Sequence, residues 1–221
     1  MFTEGLKSGI RRTFIYDLLW PIKHRRQYEV WVNEGRPVPP PAPVKHQVIE
    51  EYARKYGHQV FIETGTYRGD TIHAVRSVFN QIYSIELGLD LAEKARVRFR
   101  NQPHISINQG DSGIVLPKIL SGIVDSCLFW LDAHYSAGVT ALASLETPIH
   151  QELKAILSHP NEDHTILIDD ARDFNGRKGY PELDQLREFV TRRFPSKSFE
   201  VKDDIIRIRR HAEPLATGSL S

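Results

Sequence analysis

The chain has a single cysteine, Cys127, among its 221 residues. One thiol excludes a disulfide framework and a cysteine zinc site, and it sets a reducing cytoplasm as the default location. Long apolar runs are missing as well, and none approaches the roughly 20 residues that span a bilayer. The apolar piece near the amino terminus, Thr13 to Ile22, is broken by Asp17 and has no small-residue cleavage site, so it does not read as a signal peptide. Excess charge of one sign is also absent. The 29 Lys and Arg against 28 Asp and Glu leave a net charge of +1, with no global pull toward nucleic acid. No internal repeat is present. What remains is 40% hydrophobic and 26% charged residues, enough apolar material for one domain with an appendage.

The appendage is the first stretch. Through Arg26, six basic residues (Lys7, Arg11, Arg12, Lys23, Arg25, Arg26) stand against Glu4 and Asp17. Ile15, Leu18, Leu19 and Ile22 have helical spacing, and Pro21 is expected to kink or end the helix. Such a helix either packs on the main domain or on a second subunit, as in a homodimer, or lies on a membrane surface. Arg36 to Val44, R-P-V-P-P-P-A-P-V, reads as an extended polyproline connector. The expected divisions are residues 1–44 for the appendage and linker, 45–211 for the main domain, and 212–221 for a loose tail.

Beyond Lys45 the pattern becomes regular. A helix over Lys45–Tyr56 stops at Gly57. Strands are then expected at Val60–Ile62, Ile82–Ile85, Ile105–Asn108, Ser126–Leu131 and Thr165–Ile168. Helices are expected at Thr71–Phe79, Leu89–Arg100, from Gly110-Asp111-Ser112 to Leu120, Thr147–Leu157 and Pro181–Phe194. Alternating strands and helices imply a parallel sheet. Phe199–Val201 and Ile205–Ile208 are joined by so short a turn that they must run antiparallel. The fold class is therefore α/β: a Rossmann-like, seven-stranded, mostly parallel sheet with an antiparallel last strand and an amino-terminal helical appendage.

Everything hangs on Val60 to Thr71, V-F-I-E-T-G-T-Y-R-G-D-T. An apolar run ending in an acid and a glycine turn is a buried strand feeding a helix, and ligands of open α/β sheets sit at such strand ends. A dinucleotide fingerprint would place a second glycine where Tyr67 stands, so a pyrophosphate fits poorly. Glu63-Thr64-Gly65-Thr66-Tyr67-Arg68-Gly69 resembles the first motif of class I S-adenosylmethionine-dependent methyltransferases. The resemblance spans roughly His46 to Arg210. It implies that Gly65, Thr66, Tyr67 and Gly69 cradle the cofactor, and that Glu63 anchors the loop or approaches the methionine portion. Glu86, about 20 residues beyond the glycine loop, stands where doubly wound folds put an acid on the ribose hydroxyls. Asp111, with Ser112, resembles the position that meets the adenine; a helix cap is the alternative for Asp111.

In the usual strand order, Asp132 and Asp169-Asp170 lie at neighbouring strand ends. Three carboxylates there repel unless a cation binds or a proton is shared, and all-oxygen ligands favour Mg²⁺ or a similar hard ion. Leu131-Asp132-Ala133-His134-Tyr135 and Ile168-Asp169-Asp170 resemble the metal-dependent macrocin-type O-methyltransferases, which act on sugars and small molecules. Those enzymes generally carry a second acid where this chain has His134, which leaves His134 as base, ligand or neither. Asp132 and His134 are the catalytic candidates, and Asp132, Asp169 and Asp170 are the metal candidates. Arg172, Arg177 and Lys178 either meet an anionic acceptor or form a solvated loop. The reading is an S-adenosylmethionine-dependent O-methyltransferase of a saccharide or small-molecule hydroxyl, with no nucleic-acid partner. Its alternatives are a metal-independent methyltransferase on another nucleophile and a non-catalytic, membrane-peripheral cofactor-binding module.

Overall fold

The computed structural model describes residues 14–132, 148–177 and 179–211. By its contacts the chain divides into two compact units, Met1–Val48 and Ile49–Ser221. In the first, helix α1 (Phe14–Asn33) runs through Pro21. A proline deletes one backbone hydrogen bond without ending a helix that has several turns on either side. Glu29 and Glu34 lower the charge of residues 1–35 to +2, six basic against four acidic. The proline segment is not the extended connector the composition suggests. Trp31 Nε1–H donates to the Pro37 carbonyl at 2.8 Å, Arg36 stacks over the Trp31 ring, and the Val38–Pro39 bond is cis. Ala42, Pro43 and Val44 already belong to helix α2 (Ala42–Tyr56), which straddles the division between units. Proline is well placed in a first helical turn, where its missing N–H has no partner to lose.

The second unit is a seven-stranded sheet of β1 (Val60–Thr64), β2 (Gln81–Glu86), β3 (Ile105–Gln109), β4 (Cys127–Leu131), β5 (Thr165–Ile168), β6 (Lys197–Lys202) and β7 (Ile205–Arg210). Its order is β3-β2-β1-β4-β5-β7-β6. The first five strands are parallel, and β7 runs antiparallel to both β5 and β6, so the last strand enters between its predecessors. Strands β1, β4 and β5 are buried throughout, the mark of parallel strands covered on both faces. Their two-residue period divides the side chains. Ile62 and Phe129 face one core with Leu116, Leu153, Leu186 and Ile206. Phe61 points the other way and stacks on Phe79 at 4.9 Å. Each such burial is worth roughly 1.5–3 kcal/mol.

Among the described residues this unit also holds the α-helices α3 (Asp70–Val75), α4 (Leu89–Phe99), α5 (Ser112–Leu120), α6 (Pro148–Leu157) and α7 (Leu183–Arg193). Two are shorter than expected. Helix α3 ends in a turn after Val75, which lets Phe79 reach Phe61. Helix α7 starts at Leu183 because Glu182 and Gln185 form a reciprocal capping box.

Histidines tie the amino-terminal ends of β1, β4 and β5 together. His58 contacts Ser126 Oγ at 3.1 Å and Thr165 Oγ1 at 2.8 Å. Cys127 N–H donates to His164 Nδ1 at 2.9 Å, which leaves the His164 proton on Nε2, facing His159 Nδ1 at 2.9 Å. His159 Nε2 in turn meets the Ile123 carbonyl at 3.2 Å. Both ring nitrogens of His164 thus have fixed roles that require a neutral imidazole. Burial first, then the His159, Lys197 and His58 charges, push His164 down to about 3, against a smaller pull from Asp163.

The unfolded chain, with His164 near 6.5, binds the extra proton before the native one does. This contribution to stability is complete above about pH 6.5 and is lost as pH falls toward 3. Compared with His164→Asn, the wild type should lose relative stability in urea melts by up to about 1.4 kcal/mol per pH unit below that point. A pH-independent difference would contradict the neutral relay.

Candidate functional site

Strand β1 ends in Glu63-Thr64 and turns at Gly65, whose φ of +93° suits glycine. The Gly65 N–H donates to the Ile85 carbonyl at 2.9 Å, so the turn leans on β2. A Cβ on Gly65 would stand 3.0 Å from Asp132 Cβ, which places the glycine loop directly against the first acid of the neighbouring strand end. At Gly69 a Cβ would lie 2.6 Å from the Phe99 ring. Thr66 Oγ1 meets Ser84 Oγ at 2.5 Å, and Ser84 Oγ–H donates to Glu63 Oε2 at 2.6 Å. Glu63 is thus a buried anchor under the loop. Tyr67 is exposed, holds a left-handed φ of +46°, and donates its N–H to Glu86 Oε2 at 2.7 Å.

Glu86 closes β2. Its other oxygen, Oε1, accepts from Gly88 N–H at 2.9 Å. Two backbone donors orient the carboxylate, and each of its oxygens has a second lone pair with which to accept from a diol. Asp111 caps α5: its Oδ1 accepts from Gly113 N–H at 2.8 Å. The capping role therefore occupies one of its oxygens. Ser112 hydrogen-bonds to Glu152, so its hydroxyl also serves the protein.

The sequence marks Glu152 only as part of a helix. It lies on α6 with Ile149 three residues before and Ile156 four after, an acid on an apolar face, and that is the pattern that would have marked it. It is buried and bound to Ser112 and Thr64. Burial is the chief cause that pushes it up to about 7; its two hydrogen bonds oppose the rise and Asp111 adds to it. Glu63 is pushed up to about 8, by burial first, then by Asp132 and Glu86, against hydrogen bonds from Ser84 and Thr71.

The β1–β4–β5 register puts Thr64 beside Leu131 and Leu131 beside Ile168. The ladder continues one step further: Asp132 N–H donates to the Thr64 carbonyl at 3.1 Å, and Asp169 N–H to the Leu131 carbonyl at 3.0 Å. Asp170 then turns left-handed at φ 52°, its N–H on Asp169 Oδ1 at 2.8 Å. One oxygen from each of Asp132, Asp169 and Asp170 lies within 4.8 Å of the others. At an effective dielectric near 20, each ionised pair at that distance repels by roughly 3–4 kcal/mol.

One cation already stands there. Arg172 Nη1 lies 2.8 Å from Asp170 Oδ1 and also bonds Asp204 Oδ2. Asp204, on the β6–β7 turn, escaped the sequence reading because nothing local links it to residue 172. His134 falls outside the described residues, as do Ala133, Tyr135 and Lys178.

Neither a scan against protein-family models nor a search of curated proteins gives a match. Solved structures do. The O-methyltransferase from Bacillus cereus in complex with SAH has a TM-score of 0.57 at 14% identity, over 89% of this chain and 96% of that one. TomG from Streptomyces achromogenes, an O-methyltransferase involved in tomaymycin synthesis, solved with SAM, has 0.56 at 11%, over 85% and 88%. The SAH-bound methyltransferase PaMTH1 of Podospora anserina has 0.56 at 14%, over 86% and 88%. At these identities the likeness carries the fold alone, and it is the fold of these methyltransferases.

Native Glu63 holds its proton to about pH 8, whereas the unfolded residue releases it near 4.5. Its contribution is therefore full below pH 4.5 and is lost as pH rises through 8. Glu63→Gln should gain stability relative to wild type across that window, by up to about 1.4 kcal/mol per unit. Urea melts at acid and alkaline pH check this, and a constant difference would mean that Glu63 ionises normally.

Proposed function

We propose that the chain is an S-adenosylmethionine-dependent O-methyltransferase acting on a hydroxyl of a sugar or small natural product, with a divalent cation. The observation that carries this is the 3.0 Å approach between a Cβ at Gly65 and Asp132. The glycine loop lies against the first acid of the cluster, with no room for a side chain between them.

When bound, the cofactor supplies an electrophilic methyl on a sulfonium, and a cation lowers the pKa of an oxygen it holds. The residues present fit both. Gly65 and Gly69 let the loop run where a side chain would collide with Asp132 and with the Phe99 ring. Glu86 is oriented to accept from ribose hydroxyls, and Asp111 stands at the next strand end along the sheet. Asp132, Asp169 and Asp170 give an all-oxygen donor set suited to a hard ion. A neutral leaving group needs no acid. The chain's task is alignment, which can supply up to roughly 7–11 kcal/mol of a barrier, together with deprotonation of the acceptor, for which Asp132 and His134 are the candidates. Residues 49–211 hold every described group this reading uses.

A metal-independent methyltransferase is the second reading, favoured by the Arg172 ion pair, which offsets one of the three acids without metal.

Calorimetry with S-adenosylhomocysteine tests the cofactor. The wild type should bind, Glu86→Ala should bind more weakly by roughly 1.5–3 kcal/mol, and Gly65→Val should not bind. Binding of NAD in its place would overturn the assignment.

Conversion of S-adenosylmethionine to the homocysteine product, measured against a panel of hydroxylated acceptors, tests the metal. Chelator and Asp169→Ala should each abolish turnover while cofactor binding survives. Full turnover in chelator selects the metal-independent reading.

A further inference from the structure

We infer that Arg172 is a resident counter-cation of the acid cluster, which must release Asp170 before a divalent ion is held, so that Asp204 on the β6–β7 turn governs how readily metal enters. This rests on reading the cluster as the metal site.

The geometry is that of an exchange. Asp170 and Asp204 are both buried, with side chains 1% and 3% exposed, and the Arg172 side chain that bridges them is 36% exposed. The guanidinium therefore has buried partners on one side and solvent on the other. It cannot lose its proton in a protein, so its repulsion of an incoming divalent ion falls only if it moves away. Asp204 gives it a place to stay. The Asp204 carboxylate also accepts from Arg172 N–H at 2.9 Å, and its carbonyl accepts from Ala171 N–H at 2.8 Å. The 170–172 segment is thereby pinned to the β6–β7 turn through its backbone, independently of the guanidinium. Arg172 can give up Asp170 while keeping Asp204 and leaving the loop in place. Asp170, Asp203 and Asp204 all hold left-handed backbone, with φ of 52°, 51° and 61°, a concentration of the uncommon conformation at the two turns that meet here. Outer-sphere partners of this sort set the affinity of metal sites. In this chain the partner carries the same sign of charge as the metal, so it opposes binding where a neutral donor would support it.

The test is Mn²⁺ titration of the full chain without cofactor, followed by calorimetry and by the spin resonance of free Mn²⁺. Arg172→Met should bind Mn²⁺ at least tenfold more tightly than wild type, and Arg172→Lys, which keeps the charge, should stay near wild type. Equal or weaker binding by Arg172→Met, with the wild type binding, overturns the counter-cation and leaves the metal site standing. No binding by wild type or by Arg172→Met at millimolar Mn²⁺ overturns the metal site, and this inference with it. Should Arg172→Met fail to fold, the wild type decides: its Arg172 Nε–H resonance, assigned with Arg172→Lys, should move on saturation with Mg²⁺. An unmoved resonance at saturation overturns the exchange.

Discussion

The site depends on a staircase of backbone hydrogen bonds across the carboxyl edge of the sheet. Gly65 N–H reaches β2 at Ile85, Asp132 N–H reaches β1 at Thr64, and Asp169 N–H reaches β4 at Leu131. Each bond extends a parallel ladder by one residue beyond its named strand. The last two also fix where Asp132 and Asp169 begin their departure from the sheet. The β1–β4 boundary is where the strand order reverses, so helices leave on opposite faces and a crevice opens between them. The glycine loop follows β1 and the acid cluster follows β4 and β5, so neighbouring strands bring them together at that edge.

The two ends of the sheet handle buried polarity in opposite ways. At the amino-terminal end, the His164 imidazole is kept neutral and each of its nitrogens has a defined partner. At the carboxyl end, Glu63 and Glu152 are buried and hold their protons to well above the ordinary carboxyl range. Burial is the leading cause in both places, because it disfavours whichever form is charged. One end of the sheet is thereby destabilised by acid and the other by base, as expected of a scaffold whose strands are covered on both faces. At the end of β5 the contacts are local: the Asp170 N–H on Asp169 and the Arg172 guanidinium on Asp170.

Much of this was legible in the chain. Each buried strand is an apolar run that ends in a polar residue, so the acids at the strand ends could be placed once the strands were. Element order and the short turn before Ile205 gave the sheet class, because strand and helix periods are local properties. Gly65 and Gly69 stood out for the same reason: both take positive φ at the loop between β1 and α3. Element ends were less legible, since the capping box at Glu182 and the early turn after Val75 depend on side-chain partners. The run through Pro21 and the folded proline segment went against local preference. The second has a side-chain cause six residues away, the capture of the Pro37 carbonyl by Trp31.

The sequence by itself determined the architecture, the position of the glycine loop and the identity of the acids at the strand ends. Only the tertiary structure decided which groups those acids meet. Arg172 and Asp204 are 32 residues apart and come together because β7 inserts between β5 and β6, an arrangement no local pattern encodes. Glu152 reaches Thr64 and Ser112 because α6 packs against α5, and a carboxyl on an apolar helix face has no partner until that packing forms. Periodicity specifies which face of an element is buried. Where a charged side chain finds its counter-charge depends on strand order and register, and those are properties of the assembled sheet.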